Sequence, residues 1–476
     1  MSFNDWECVV GLEIHAQMKT KSKLFSSDST SFGSAANEHV APVSIGLPGS
    51  LPVLNKEVIH LAMKTGLALN CEISEQSVFS RKNYFYPDLS KGYQISQFDK
   101  PICKNGFVEF FVGDEIKKIN LERAHLEEDA GKSNHHGEYT LIDYNRAGIP
   151  LLEIVSKPEI KSAKEAAEFM RAIRNTMRYV GACDGNLEEG SLRCDCNVSI
   201  RKKGDKELGT RVEIKNINSF RFVEKAIEYE VHRQIDSVEG GKEIEMETRL
   251  YDHVKNKTFT MRKKEEAHDY RYFPDPDLLP LKISKEQIEK TRKELTELPF
   301  NKIQRYQKEY KLSLYDSQSL TQERDIASYF EEVVVKSKNP KQSANWILGD
   351  FFKLLNEENA EINSSKVKPK QLAELILMVE DNSISGKIAK QIFEDMYKSG
   401  SDPKSIVEEK GLKQITDNSA IEKIVEEVLN ESPSQVNEYK AGKTKLMGYF
   451  VGQIMKKTQG QANPDQVNKT LKEKLK

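Results

Sequence analysis

Two short apolar runs carry acidic and imidazole side chains where hydrocarbon is expected, and this restricts the possible folds more than any other feature of the chain. Ile149-Pro-Leu-Leu-Glu-Ile-Val155 encloses Glu153, and Val9-Val-Gly-Leu-Glu-Ile-His15 encloses Glu13 and His15. A carboxylate in such surroundings is costly unless something positive meets it. A bound cation is one such partner. Strands send alternate side chains to one face, so Glu13 and His15 share a face. In Arg123-Ala-His-Leu-Glu-Glu-Asp-Ala-Gly-Lys132 the polar groups His125, Glu127 and Asp129 also alternate. These segments predict a sheet with one polar face, centred on residues 123–156.

At 476 residues the chain exceeds one core, and the usual ~100–200 residues per domain predict two to four domains. Residues 1–296 read as one α+β domain on a mainly antiparallel sheet. Short strand-like runs recur there: Cys8–His15, Gly106–Val112, Tyr139–Asp143, Asn197–Arg201 and Val212–Lys215. Two helices interrupt them. Over Ser162–Gly181, Ala166, Phe169, Ile173, Met177 and Val180 recur at helical spacing, with Ser162 and Glu165 as a capping box and Gly181 as the stop. Ser219 to about Ile235 repeats the pattern with Val223, Ile227 and Val231. Beyond Glu297-Leu-Pro-Phe300 the period becomes helical, in Asp325–Val335, Lys370–Val379 and Gly386–Met396. The turn Ser399-Gly-Ser-Asp-Pro403 divides an all-α domain, 297–402, from a small all-α tail, 403–476, with Ile421–Leu429 and Lys445–Lys457 its clearest helices. Between Lys440 and Lys476 nine lysines meet two acidic residues, a pattern suited to a phosphate backbone or to an ordinary solvated helix face.

Composition excludes more than it selects. Lys and Arg total 72 against 74 Asp and Glu, a net charge of −2, so whole-chain charge names no partner. Six scattered cysteines, the nearest pair being Cys194-Asp-Cys196, have neither zinc nor redox spacing and predict reduced, cytoplasmic thiols. No run approaches the ~18 apolar residues of a membrane span, and Met1-Ser-Phe-Asn-Asp lacks the basic start of a leader, so no membrane partner is expected. Ala441-Gly-Lys-Thr444 has the tail of a P-loop but Asn437 where the first glycine belongs. No acyl-nucleophile motif is evident.

What remains is metal-assisted chemistry. Mg²⁺ prefers oxygen ligands and is commonly held by one or two carboxylates together with substrate phosphates. Glu13, Glu127, Glu128 and Glu153 offer those oxygens, and His15 a nitrogen. The plain alternative is that each is paired with its own Arg or Lys. Ser80–Gln97 mixes Arg81, Lys82 and Lys91 with tyrosines, and Asn145-Arg146-Ala-Gly148 and Glu213-Ile-Lys215-Asn216 add further basic groups. Such loops clamp phosphates, stack on bases, or form well-packed turns.

Gly11-Leu-Glu-Ile-His-Ala-Gln17, Lys82–Gln97, His125–Lys132, Asp143–Gly148, Gly190-Ser-Leu-Arg-Cys-Asp-Cys-Asn197 and Glu213-Ile-Lys-Asn-Ile-Asn218 together resemble the B subunits of tRNA-dependent amidotransferases (GatB). So do Tyr270–Leu278 and Gly452-Gln with Gly460-Gln-Ala-Asn-Pro464. The likeness runs in order from about residue 8 to about 470. It implies a glutamine-synthetase-like cradle domain, then a helical domain and a tRNA-touching tail. It further implies a heterotrimer with an amidase A subunit and a small C subunit. ATP and Mg²⁺ would serve to phosphorylate the side-chain carboxylate of misacylated Glu-tRNA(Gln) or Asp-tRNA(Asn), which ammonia then amidates. By the family pattern His15, Glu127 and Glu153 fall on metal positions, with Glu13 and Glu128 as partners. Glu127, Glu153 and Lys82 are the catalytic candidates, and Lys91, Arg146 and Lys215, with Lys82, those for ATP phosphates or the acyl-adenosine end. Two other readings are a noncatalytic tRNA-binding protein of such a complex and a stand-alone carboxylate–amine ligase. The acidic strands disfavour the first, because phosphate surfaces avoid carboxylates unless a metal bridges them. The helical appendages and basic tail disfavour the second.

Overall fold

A computed structural model describes residues 5–263, 269–412, 418–458 and 461–475. Gly460 of the C-terminal motif lies outside the described residues. The chain divides into two compact units, Met1–Lys302 and Ile303–Lys476.

The first unit is built on a ten-stranded sheet. Its centre is β1 (Trp6–Gln17), and the elements that follow are α1 (Lys56–Ala68), β2 (Ser80–Asn83), β3 (Tyr93–Ser96), β4 (Phe107–Val112), β5 (Glu115–Glu128) and β6 (Pro150–Ser156). Next come α2 (Ala163–Val180), β7 (Leu192–Lys202), β8 (Val212–Ile217), α3 (Phe220–Glu239), β9 (Glu247–Asp252) and β10 (Lys257–Lys263). The sheet runs β10-β9-β8-β7-β1-β6-β5 and continues through the short strands Cys103–Lys104 and Glu72–Ile73, with β4 paired to β5 off that path. Its pairings are antiparallel except β8 with β9. A smaller sheet joins β2 to β3 and to Phe273–Pro274.

Period-two alternation gives the large sheet two unlike faces. Leu12, Ile14 and Ala16 of β1, Ala124 and Leu126 of β5, Leu152 and Ile154 of β6, and Cys194, Cys196 and Val198 of β7 are all buried in one core. Helix α2 adds Phe169, Ile173 and Met177 to that core, and α3 adds Val223 and Ile227. Each of the Leu, Ile, Val, Phe and Met side chains among them gains roughly 1.5–3 kcal/mol from leaving water. The opposite face carries the polar partners of the same strands.

Helix α2 begins and ends where its sequence says. Ser162 accepts from the Glu165 backbone N–H at 3.1 Å, and Gly181, at φ 75°, adopts the left-handed conformation that closes the last turn. The Glu165 carboxylate reaches back one residue further than a capping box requires, to the Lys161 N–H at 3.0 Å. Ser162→Ala is expected to lower stability by about 1 kcal/mol, read from urea midpoints at unchanged slope. An unchanged midpoint would mean that the cap does not hold the helix.

The second unit is helical and has two cores. Tyr306, Phe330, Phe351, Leu372 and Phe393 belong to the larger. Ile421, Val425, Phe450, Ile454, Val467 and Leu471 form the smaller. Two boundaries lie beyond the positions read from composition. Phe300 packs its ring 5.4 Å from Phe111, within the first unit. Ile406 and Val407, on the helix Pro403–Lys410, are buried in the larger helical core, which therefore extends past residue 402. The break at Ser399–Pro403 is a local one: Gly400 at φ 76° ends one helix and Pro403 starts the next. Among the described residues no helix is long and apolar enough to cross a membrane.

Candidate functional site

Strand register assembles the site. On the polar face, His15 of β1 lies directly opposite Glu153 of β6 on one side and Arg193 of β7 on the other. Glu153 is in turn opposite His125 of β5, and Leu151 is opposite Glu127. Because β5 alternates, His125 and Glu127 emerge on the same face. His15 Nε2 is 3.3 Å from Glu153 Oε2 and 3.8 Å from Glu127 Oε1, and His125 Nε2 is 3.5 Å from Glu153 Oε2. His15, Glu127 and Glu153 each place one donor atom within 4.8 Å of the others.

The electrostatics of this cluster follow from its burial. Glu127 and Glu153 are buried, and His15 is half-buried. Burial opposes the Glu153 charge, but the fields of His125, His15 and Lys82 and the His15 hydrogen bond outweigh it and hold the carboxyl well below its usual range. Burial also opposes the imidazolium of His15, yet the bond and field of Glu153, with Glu127 and Asp195, push it up to about 9. His125 moves the other way: burial favours its neutral form. Its Nδ1 has no hydrogen-bond partner among the described residues. One imidazole and two carboxylates whose donor atoms lie close together suit a divalent cation. The donor set therefore fits such an ion.

Lys82 faces the cluster from the smaller sheet. Its ammonium lies 5.0 Å from the Tyr270 ring centroid and 5.9 Å from that of Tyr84, and its side chain has no hydrogen bond or ion pair among the described residues. Burial lowers its proton affinity, but Glu127 and other groups outweigh this, so it stays charged.

The other candidates separate. Glu128 shares the parity of Ala124 and Leu126 and leaves the polar face. It accepts from Lys91 Nζ and from the Ile95 backbone N–H at 2.9 Å. The structure therefore brings neither Glu128 nor Lys91 into the cluster, and each is the other's counter-charge. Glu13 lies one alternation from His15, on the same face, and accepts from Asn197 Nδ2 at 2.8 Å. Burial and the fields of Glu153 and Asp195 raise its pKa. It borders the metal-suited triad without joining it. Lys215 is taken by Asp195 at 2.6 Å and Glu213 at 3.1 Å. Arg146 is 3.6 Å from Asp129 Oδ2 and spends Nε and Nη2 on the Ala130 and Gly131 carbonyls. Such bonds fix the turn at 130–131.

Sequence reasoning missed Arg193. It donates through Nη2 to both oxygens of Asp129, at 3.1 and 3.0 Å. A signal was available: in Leu192-Arg-Cys-Asp-Cys-Asn-Val198 the polar Arg193, Asp195 and Asn197 alternate with buried neighbours.

Two family profiles match the chain: one described as the GatB/GatE catalytic domain over residues 8–289, the other as the GatB domain over residues 328–475. Among similar proteins, the B subunit of the aspartyl/glutamyl-tRNA(Asn/Gln) amidotransferase from Bdellovibrio bacteriovorus is 58% identical over 477 residues, covering all of both chains. The B subunits of the same enzyme from Persephonella marina and Thermodesulfovibrio yellowstonii are 56% and 53% identical. They align over 99% and 98% of this chain, and over 100% and 98% of their own lengths.

Proposed function

The chain belongs to the family of aspartyl/glutamyl-tRNA amidotransferase B subunits, and from this we propose that the face carrying His15, Glu127, Glu153 and Lys82 is where an aminoacyl-tRNA carboxylate is activated by ATP. The chain is one component of a tRNA-dependent amidotransferase, catalytic as part of a multi-subunit complex. The proposed partners are an amidase A subunit that releases ammonia from glutamine and a small C subunit. The proposed substrates are Glu-tRNA(Gln) or Asp-tRNA(Asn). One observation carries the reading: His15, Glu127 and Glu153 converge from three strands onto one spot.

The chemistry explains the residue types. A carboxylate resists attack by ammonia because the addition places a second negative charge on it. Transfer of the γ-phosphoryl to one carboxylate oxygen forms an acyl phosphate and releases ADP. Ammonia then forms the C–N bond as inorganic phosphate departs with the bonding pair, and one ammonia proton goes to solvent. A divalent cation, when bound, supplies charge neutralisation for the phosphoryl group. Glu127 and Glu153 would hold it through oxygen and His15 through nitrogen. Lys82, charged and without an ion pair, would meet phosphoryl oxygens, as phosphoryl transfer depends on positioning and electrostatics more than on a protein nucleophile. The test is reconstitution with A and C subunits, glutamine and misacylated tRNA. Amide must form only with ATP and divalent ion, and amide formed without ATP would overturn the reading.

The tail is proposed to contact tRNA. Lys443, Lys457 and Lys474 are taken by Glu438, by Glu427 and Glu431, and by Glu426. Lys440, Lys445, Lys456, Lys469 and Lys472 have no ion pair among the described residues. The smaller core draws on residues 421–475, so removing 413–476 spares the larger one. That deletion is expected to weaken tRNA binding about tenfold at moderate salt and to flatten the log Kd against log salt slope, each lost phosphate contact removing about 0.7–0.9. Unchanged affinity and slope would place the tRNA surface elsewhere.

A further inference from the structure

We propose that Arg193 is a substrate-binding residue, its guanidinium receiving an oxyanion of the reactants beside the His15–Glu127–Glu153 cluster, with Asp129 as the residue that positions it. The inference rests on the assignment of that face as the site of carboxylate activation, and adds to it a subsite for the reacting anion.

Register supplies the placement. Arg193 is the direct cross-strand partner of His15, so both side chains rise from the same face, and paired residues in antiparallel strands stand about 4.5–5.5 Å apart at Cα. The geometry of the tether supplies the rest. Asp129 is buried and accepts Arg193 Nη2 on both oxygens, Gln17 Nε2 at 3.1 Å, and the approach of Arg146 Nε at 3.6 Å. A guanidinium has five donors in a fixed plane. Arg193 commits only Nη2, and neither Nε nor Nη1 has a partner among the described residues.

Those idle donors need an explanation. The Nε is fully buried, and a buried N–H left unpaired costs about 1–3 kcal/mol. Yet 36% of the side chain is exposed, so an incoming group can reach the guanidinium. Arg146 offers the contrast. It shares the same carboxylate, but backbone carbonyls consume its Nε and Nη2. One carboxylate thus serves two guanidiniums; Arg146 keeps only Nη1 open, whereas Arg193 keeps both Nε and Nη1. With Nη2 held by Asp129, Nη1 and the guanidinium charge suit an oxygen of a carboxylate or a phosphoryl group. The oxyanion is therefore either the acceptor carboxylate or the phosphoryl oxygens of the nucleotide.

The experiment uses the reconstituted complex carrying Arg193→Ala, Arg193→Lys or Asp129→Asn, with ATP and misacylated tRNA varied in turn. Arg193→Ala is expected to lower kcat/KM about 100-fold. A rise in KM for tRNA identifies the carboxylate, and a rise in KM for ATP identifies the phosphoryl group. Arg193→Lys is expected to recover little, because a single ammonium lacks the spread of donors that holds Asp129 on one side and receives the oxyanion on another. Added guanidinium ion is expected to restore activity to the alanine variant but not to the lysine variant. Asp129→Asn is expected to fall between wild type and Arg193→Ala, with guanidinium ion giving no rescue because Arg193 still fills the space. Unchanged kinetics in Arg193→Ala overturn the proposal. So does a loss matched by a fall in melting temperature, without guanidinium rescue and with full recovery in Arg193→Lys. A wild-type complex that forms no ATP-dependent amide defeats the underlying assignment instead, which keeps the two failures apart.

Discussion

Glu127→Gln in the assembled complex is expected to reduce ATP-dependent amide formation by about 10²–10³-fold, the cost of removing one preorganised charge from an electrostatic site. Glutamine hydrolysis and tRNA retention should stay within severalfold of wild type. The substitution preserves volume and deletes only the charge. Glu127 makes one long contact with Ser96 Oγ, at 3.5 Å, and stands 3.8 Å from His15, so it has few structural duties to lose. The neutral amide also relieves the crowding of two buried carboxylates at one spot, and the melting temperature of the ion-free chain should hold or rise. Product formation and thermal melting on the same preparation decide the matter. A variant that melts normally and still makes amide at the wild-type rate would remove the cluster from the reaction. A variant that loses tRNA binding to the same extent as activity would make Glu127 a structural residue.

The parts of this site that were legible in the sequence are those in which a single strand carries its own evidence. Glu13 with His15, and Glu153 alone among Leu and Ile, are out of place in apolar runs, and that conflict between pattern and polarity needs no neighbour to be seen. Helix α2 was equally plain, since its period, cap and stop agree. Alternation leaves Glu127 and Glu128 both as candidates; the structure separates them, because β5 buries Ala124 and Leu126 on the side to which Glu128 belongs. What sequence could not supply was the identity of each strand's neighbour. Only the register of β1 with β7 shows that Arg193 stands beside His15, and the two cysteines flanking Asp195 draw attention to thiol chemistry instead of to alternation. Arg146 and Lys215 looked equally available for phosphate until the structure gave each its partners. The turn at Ser399–Pro403 is hard to read for a similar reason: a Gly and a Pro mark a turn, and a turn between two helices of one core looks the same in sequence as a turn between two domains.

The affinity of the complex for a divalent ion should rise steeply with pH, by about tenfold per unit between roughly 6.5 and 8.5, and level off above about 9. In the ion-free chain His15 moves from an ordinary 6.5 up to about 9 because Glu153 and Glu127 hold its proton. The stability this gives is fully present below about 6.5, and is lost as pH rises through about 9. A cation at the same spot needs the imidazole neutral and must expel that proton, so its binding gains over the very interval in which the ion-free fold weakens. His125 does not compete in this range, since burial already keeps it neutral, and Glu153 is charged throughout. One proton should therefore leave for each ion bound. Calorimetric titration with Mg²⁺ or Mn²⁺ in buffers of different ionisation enthalpy counts that proton directly. His15→Gln should abolish both the release and the slope while retaining the two carboxylates. A pH-independent affinity with no proton released would mean that the ion does not meet His15, and the triad would then be an ordinary imidazolium–carboxylate cluster, neutralised by His15 together with Lys82.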